Sequence, residues 1–263
     1  MLSYAYSTMF YTYLPPLRAI ERIIWRGLSA ELSYDNFVSA GGKLIEDRYM
    51  EELIKVSRDL IGYISAIHLP YDELEPQMAL TEMGLKRLIK WLDLAHKLEI
   101  EIAVIHPLKI ERSNERAQEL NTEFLQKIIR EAEERWITIA VENKLEGAHY
   151  CSKPEELLKI MKELSGDVGI CLDLGHAHIN GGLEKSLYSL SRYITAIHAH
   201  DNDGHKDLHM PPYTGTINWN LVENWIKKTR FNGVIIFEVS CKSDVQACDR
   251  LIEEVKSTPI ANI

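Results

Sequence analysis

Val234-Ile235-Ile236-Phe237-Glu238-Val239 is apolar at five of its six positions and rich in β-branched side chains. A strand wetted on one face would alternate apolar and polar residues. A continuous apolar run argues instead for burial on both faces, as in a parallel sheet covered by helices. Seven similar stretches precede it, at 2–7, 30–34, 63–69, 100–106, 136–143, 168–174 and 193–200. The first residues of successive stretches lie 25 to 41 positions apart. That spacing holds a strand, a helix and two loops. Helical periodicity fills the gaps. Residues 83–98 carry Leu85, Leu88, Ile89, Leu92 and Ala95 at three- and four-residue steps, and 17–26 follows Pro15-Pro16. Residues 120–134, 154–164 and 245–255 read the same way. Eight strand–helix units predict one α/β domain over 1–263, the (β/α)8 TIM barrel. A doubly wound open sheet would be favoured by a Gly-rich phosphate loop after the first strand, and Ser7-Thr8-Met9-Phe10-Tyr11 is not one.

The composition, 46% hydrophobic and 26% charged with 14 Gly and 9 Pro in 263 residues, excludes collagen-like, disordered and disulfide-scaffold classes. The formal charge of −9 disfavours binding to phosphate backbones over the whole surface and favours a small substrate over DNA. No apolar run approaches the roughly 18 to 20 residues that span a bilayer, so no membrane partner is expected. Residues 1–13 lack a basic segment ahead of an apolar stretch, which predicts a cytoplasmic rather than secreted protein. Cys151, Cys171, Cys241 and Cys248 form no C-x-x-C pair, which predicts reduced thiols and excludes a zinc ribbon. A homo-oligomer is compatible with the sequence, which carries no signature of oligomeric state.

In such a barrel the active site is built at the C-terminal ends of the strands. Those ends hold His68, His106, Glu142, Asp173, His200 and Glu238. Counting by twos, Ala66 precedes His68, Val104 precedes His106, Ala140 precedes Glu142, Cys171 precedes Asp173 and Ile236 precedes Glu238. Each polar residue is therefore in phase with a small or apolar one deeper in the interior. His176, Asp207 and His209 lie just past two strand ends. Carboxylates converging inside one ring of strands repel each other and are costly to bury unpaired. A divalent cation removes both problems. Oxygen and imidazole ligands without thiolate suit Zn, Mn, Co or Mg.

The chain resembles the xylose-isomerase-like TIM-barrel superfamily, which includes sugar isomerases and epimerases and the endonuclease IV type of AP endonuclease. The resemblance runs from His68 to Glu238. Its most specific pieces are Cys171-Leu172-Asp173-Leu174-Gly175-His176-Ala177-His178 and the segment from His198 to Trp219. In ketose epimerases and related isomerases one metal is held by two Glu, one Asp and one His, which match Glu142, Asp173, His200 and Glu238. The resemblance implies that Glu142 and Glu238 flank the substrate carbon, one removing a proton and the other returning it, with His176 on substrate oxygens. In endonuclease IV relatives three zinc ions sit on nine ligands, matching His68, His106, Glu142, Asp173, His176, His200, Asp207, His209 and Glu238. The preferred expectation is a divalent-metal isomerase or epimerase of a small sugar or sugar phosphate, with one ion. The alternative is a trinuclear zinc phosphodiesterase acting on abasic-site DNA. A barrel that keeps the metal and only binds its ligand is a third reading. Where both groups usually carry Gly-Glu-Gly, this chain has Tyr213-Thr214-Gly215.

Other residues have plainer readings. His198 is in phase with His200 but two residues deeper, which suits a hydrogen-bonded interior histidine. His96 reads as a structural or solvated helix residue. Tyr71, after His68-Leu69-Pro70, is placed either against substrate or packed on its own loop. Arg112, Arg116, Lys127 and Arg130 read as solvated helix faces, with Lys127 beside Glu131. Residues 37–43, Phe-Val-Ser-Ala-Gly-Gly-Lys, echo an endonuclease IV stretch but follow the second strand rather than the first, and are read as a loop.

Overall fold

In the computed structural model, which describes residues 2–38 and 45–263, eight parallel strands pair in chain order and the last closes on the first. They are β1 (Ser3–Ser7), β2 (Ser29–Leu32), β3 (Ile64–His68), β4 (Ile102–Ile105), β5 (Thr138–Glu142), β6 (Val168–Asp173), β7 (Ile194–Ala199) and β8 (Val234–Phe237). Around them run α1 (Pro16–Ile24), α2 (Asp35–Val38), α3 (Glu46–Lys55), α4 (Ser57–Leu60), α5 (Pro76–Ala79) and α6 (Glu82–Lys97). The ring is completed by α7 (Ala117–Glu133), α8 (Pro154–Glu163), α9 (Leu174–Ile179), α10 (Leu183–Ser189), α11 (Trp219–Thr229) and α12 (Val245–Lys256). The outer helices form where an apolar stripe meets a start signal. Thus α6 buries Leu88, Trp91, Leu92 and Ala95 and is capped by Thr81, while Asn218 caps α11 and Asp244 caps α12.

Inside the barrel a second core is made of Ala5, Ala66, Val104, Ala140, Cys171, Ala196, Val234 and Ile236. These side chains are mostly small, so the layer above has room for large polar groups. β2 breaks the pattern. Its residue in register with Ala66 is Glu31, a fully buried carboxylate.

Several expectations are corrected. The strands are shorter than the apolar runs, so His106, His200 and Glu238 lie one position past β4, β7 and β8. Cys241 and Cys248 are joined in a disulfide, contrary to the expectation of four thiols; Cys151 and Cys171 are free and buried. The chain reverses after β8 and enters α12, which brings the two Cα atoms to 5.6 Å. Arg112 is not on a helix. It lies in the β4–α7 loop and ties it to the β5–α8 segment through Glu156 at 2.5 Å and through Gly147 and Ser152. Lys127 pairs with Glu123 at 2.7 Å rather than Glu131, which is engaged by Arg135; Glu four residues before Lys is the better helical order. Residues 39–43 of the loop after β2 lie outside the described residues. Among the described residues no helix is long and apolar enough to cross a membrane.

Candidate metal centre

The strand ends carry their polar side chains into one cavity of about 380 Å³. Its lining includes His68, Tyr71, His106, Glu142, His176, Asp207, His209 and Glu238, while Asp173 and His200 are fully buried and do not line it. Glu142 is the hub. Its Oε2 lies 3.0 Å from Nε2 of both His68 and His106, and its Oε1 lies 3.4 Å from His176 Nδ1. Asp173 Oδ2 is 3.1 Å from His200 Nε2. In the β7–α11 loop Asp207 Oδ2 meets His209 Nε2 at 3.0 Å and His176 Nε2 at 3.4 Å. Groups of donor atoms close enough to share an ion include His68–His106–Glu142, Asp173–His176–His200 and His200–His209–Glu238.

Local structure aims these groups. Asp173 ends β6 and caps α9 by accepting the His176 N–H on Oδ1 at 2.6 Å, which leaves Oδ2 for His200. Asn143 clamps the ends of β5 and β6 by accepting from Asp173 N and donating to Asp173 O. Asp201 accepts from Trp219 Nε1 at 2.7 Å and from Ile217 N, anchoring the loop that carries Asp207 and His209. Gly175 leaves the space that His200 fills: a Cβ there would fall inside the imidazole.

The donor set fits a cation. His68, His176 and His209 each face a backbone carbonyl with Nδ1, at Leu69, Asn143 and Glu238, over 2.9 to 3.0 Å. A carbonyl only accepts, so each Nδ1 carries the proton and each Nε2 turns a lone pair toward a carboxylate. Lone pair against anion repels unless the ring takes a second proton or a metal sits between them. Without metal the second proton is favoured. Burial works against it, but the bond to Glu142 lifts His68 to about 9, the Asp173 charge lifts His176 to about 10, and Asp207 lifts His209 to about 9. Burial pushes His106 down to about 4 and leaves it neutral. Burial also opposes ionisation of Glu142, yet the imidazoles of His106 and His198 beside it hold it well below the usual carboxylate range. Burial raises Glu238. The buried atoms without a hydrogen-bond partner among the described residues include His198 Nδ1, His200 Nδ1 and Asp207 Oδ1. Protons or divalent ions answer the same geometry, and the oxygen and imidazole donors suit Zn, Mn, Co or Mg.

Tyr71 lies at the cavity and packs on neighbouring segments rather than on its own loop. Its hydroxyl donates to Asp35 at 2.7 Å, its ring stacks on His106 at 5.3 Å, and it lines the cavity. His96 is exposed on α6, with Nδ1 on the Arg135 carbonyl. His198 is a fully buried interior histidine bonded to Glu31. Sequence reasoning passed over Glu31, Asn143, Lys144 and Gly175. Only Glu31 left a signal, a carboxylate where the inward phase of a strand calls for an apolar residue.

A family model described as xylose isomerase-like TIM barrel matches residues 29–258. The uncharacterized protein MJ1311 of Methanocaldococcus jannaschii is 29% identical over 241 residues, covering 86% of this chain and 81% of that one. The crystal structure of a D-tagatose 3-epimerase-like protein superposes with a TM-score of 0.78 at 23% identity, over 96% of both chains. The TTHB071 protein of Thermus thermophilus, in crystals soaked with ZnCl2, gives 0.68 at 23% identity over 97% of both. At these identities the two structures show the shared fold.

Proposed function

The chain belongs to the xylose isomerase-like TIM-barrel family, and on that footing we propose that it is a divalent-metal-dependent isomerase or epimerase of a small sugar or sugar phosphate. The observation that carries this reading is the cavity. At about 380 Å³ it falls at the small end of ligand pockets, and Glu142 and Glu238 both reach it while almost wholly buried. Its lining sets five carboxylates, Asp35, Glu142, Glu146, Asp207 and Glu238, against Lys109 and Lys144. That balance repels a phosphodiester backbone, and both ammonium groups are themselves paired, Lys109 with Glu75 at 3.7 Å and Lys144 with Glu146 at 3.8 Å.

A divalent ion held by Glu142, Asp173, His200 and Glu238 would polarise a substrate carbonyl and stabilise the negative charge developed when the neighbouring carbon loses its proton. One of Glu142 and Glu238 takes that proton, and the other, protonated beforehand, delivers its own proton to the opposite side of the carbon. His176 and Tyr71, which both line the cavity, hold substrate oxygens. The test is a panel of sugars and sugar phosphates incubated with metal-loaded protein in deuterium oxide. Deuterium is expected at one carbon of the true substrate, and Glu238→Gln should lose turnover and exchange together. Continued exchange in that variant removes Glu238 from the proton transfer. Metal binding without turnover across the panel favours a binding protein.

A second reading has its own support. His176 and His209 converge on Asp207, His68 and His106 on Glu142, and His200 on Asp173, so eight of the nine residues fall into three groups around separate carboxylates, and Glu238 lies within ion-sharing reach of His200 and His209. This is the arrangement a trinuclear zinc phosphodiesterase would use. Metal counting decides between the two. Three zinc ions per chain together with cleavage of abasic-site duplex would replace the isomerase, and one ion would end the hydrolase reading.

A further inference from the structure

His198 and Glu31 are both fully buried and face each other across the barrel interior from β7 and β2. His198 Nε2 lies 3.0 Å from Glu31 Oε1. A carboxylate accepts, so this nitrogen carries a proton in either charge state, and Nδ1 is the atom left to take a second proton or a metal ion. Among the described residues Nδ1 has no hydrogen-bond partner. It points at three acceptors: Glu238 Oε2 at 3.4 Å, Glu142 Oε1 at 3.5 Å and Asp173 Oδ2 at 3.9 Å. Charge-assisted hydrogen bonds run shorter, about 2.7 to 2.9 Å. Donor atoms that share one ion through bonds of about 2.0 to 2.2 Å stand roughly 2.8 to 3.6 Å apart, from octahedral to tetrahedral coordination. The closest two separations match the second pattern. His198 also shares ion-sized groups with Glu142 and Asp173, and with His68 and Glu238.

Glu31 needs an explanation as well. The other strands contribute small or apolar residues to that inner layer, and an isolated buried carboxylate is costly. A carboxylate behind a ligating histidine is the usual second partner in a metal site, fixing the tautomer and strengthening the donor. We propose that His198 is a further metal ligand, giving Nδ1 to an ion shared with Glu142, Asp173 and Glu238, and that Glu31 is the positioning residue that orients it. This rests on the metal-dependent reading above and adds a donor and its support to that site.

The test uses the whole protein loaded with ¹¹³Cd or Co(II). In the ¹⁵N-histidine, ¹¹³Cd-loaded wild type, a one-bond coupling between cadmium and His198 Nδ1 is expected, and its absence overturns the assignment without any variant. His198→Gln and Glu31→Gln are each expected to weaken one cobalt site about 10- to 100-fold in chelator competition, with unchanged far-ultraviolet dichroism. Both variants should also alter the visible cobalt spectrum, which a merely structural pair would leave alone. Affinity within twofold of wild type and an unchanged spectrum overturn the inference while leaving the metal-dependent reading intact. A wild type that binds no divalent ion overturns both.

Discussion

Gly175 and His200 meet so closely that no side chain fits between them. Gly175→Ala must push the imidazole away from Asp173. Metal affinity should fall about tenfold or more, or about 1.4 kcal/mol, in chelator competition while helix content is retained. Unchanged affinity would mean that His200 has room to move. The histidines also set a pH dependence. His68, His176 and His209 are raised to about 9, 10 and 9 in the metal-free protein. Groups raised on folding stabilise fully below the ordinary histidine value of about 6.5, and that contribution is lost as pH climbs through 9 to 10. The metal-free melting temperature should therefore fall between pH 7 and 10. Metal loading at pH 7 should release protons, read as a calorimetric heat that varies with the buffer. A flat metal-free profile would argue against the charged imidazoles.

At the scale of elements, β8 and α12 are tied by more than their loop. The Cys241–Cys248 bond closes a short loop just after Glu238, and Ser240 N donates to the His209 carbonyl there. Two features of the site thus depend on one connection. Alkylation of the denatured protein without reductant should modify two cysteines, Cys151 and Cys171, and four after reduction. Loss of the bond should cost about 2 kcal/mol by loop-closure entropy, measured as a shift in urea midpoint. Four modified cysteines without reductant would contradict the pairing. The Asp201–Trp219 bond explains why the segment from His198 to Trp219 carries recognisable residues at both ends. One end anchors the other, and the loop between them presents Asp207 and His209.

For the whole molecule, the metal centre is also a stability element. Four carboxylates, Glu31, Glu142, Asp173 and Glu238, are buried at the mouth and floor of one barrel. An ion that binds only the folded state stabilises by about 2.7 kcal/mol at a hundred times its dissociation constant. Adding Zn, Mn or Co to chelator-treated protein should raise the melting temperature at pH 8, and no shift with any of them would count against a resident ion. Barrel and candidate ligands were legible in the sequence for one shared reason. A parallel strand buried on both faces writes a continuous apolar run, and its period of two points the residue at its end into the interior, so the residues from His68 to Glu238 could be read in order. Nothing local reveals which side chain each of them meets. Glu31 and His198 lie 167 residues apart and touch only because the barrel closes. Arg112 and Glu156, 44 residues apart, meet only where two loops of the folded barrel lie side by side, and Cys241 meets Cys248 because the chain reverses between β8 and α12. Local periodicity is a property of neighbouring residues and survives in one dimension. Partner choice, tautomer and charge state depend on distances across the barrel, and those exist only once β8 has paired with β1.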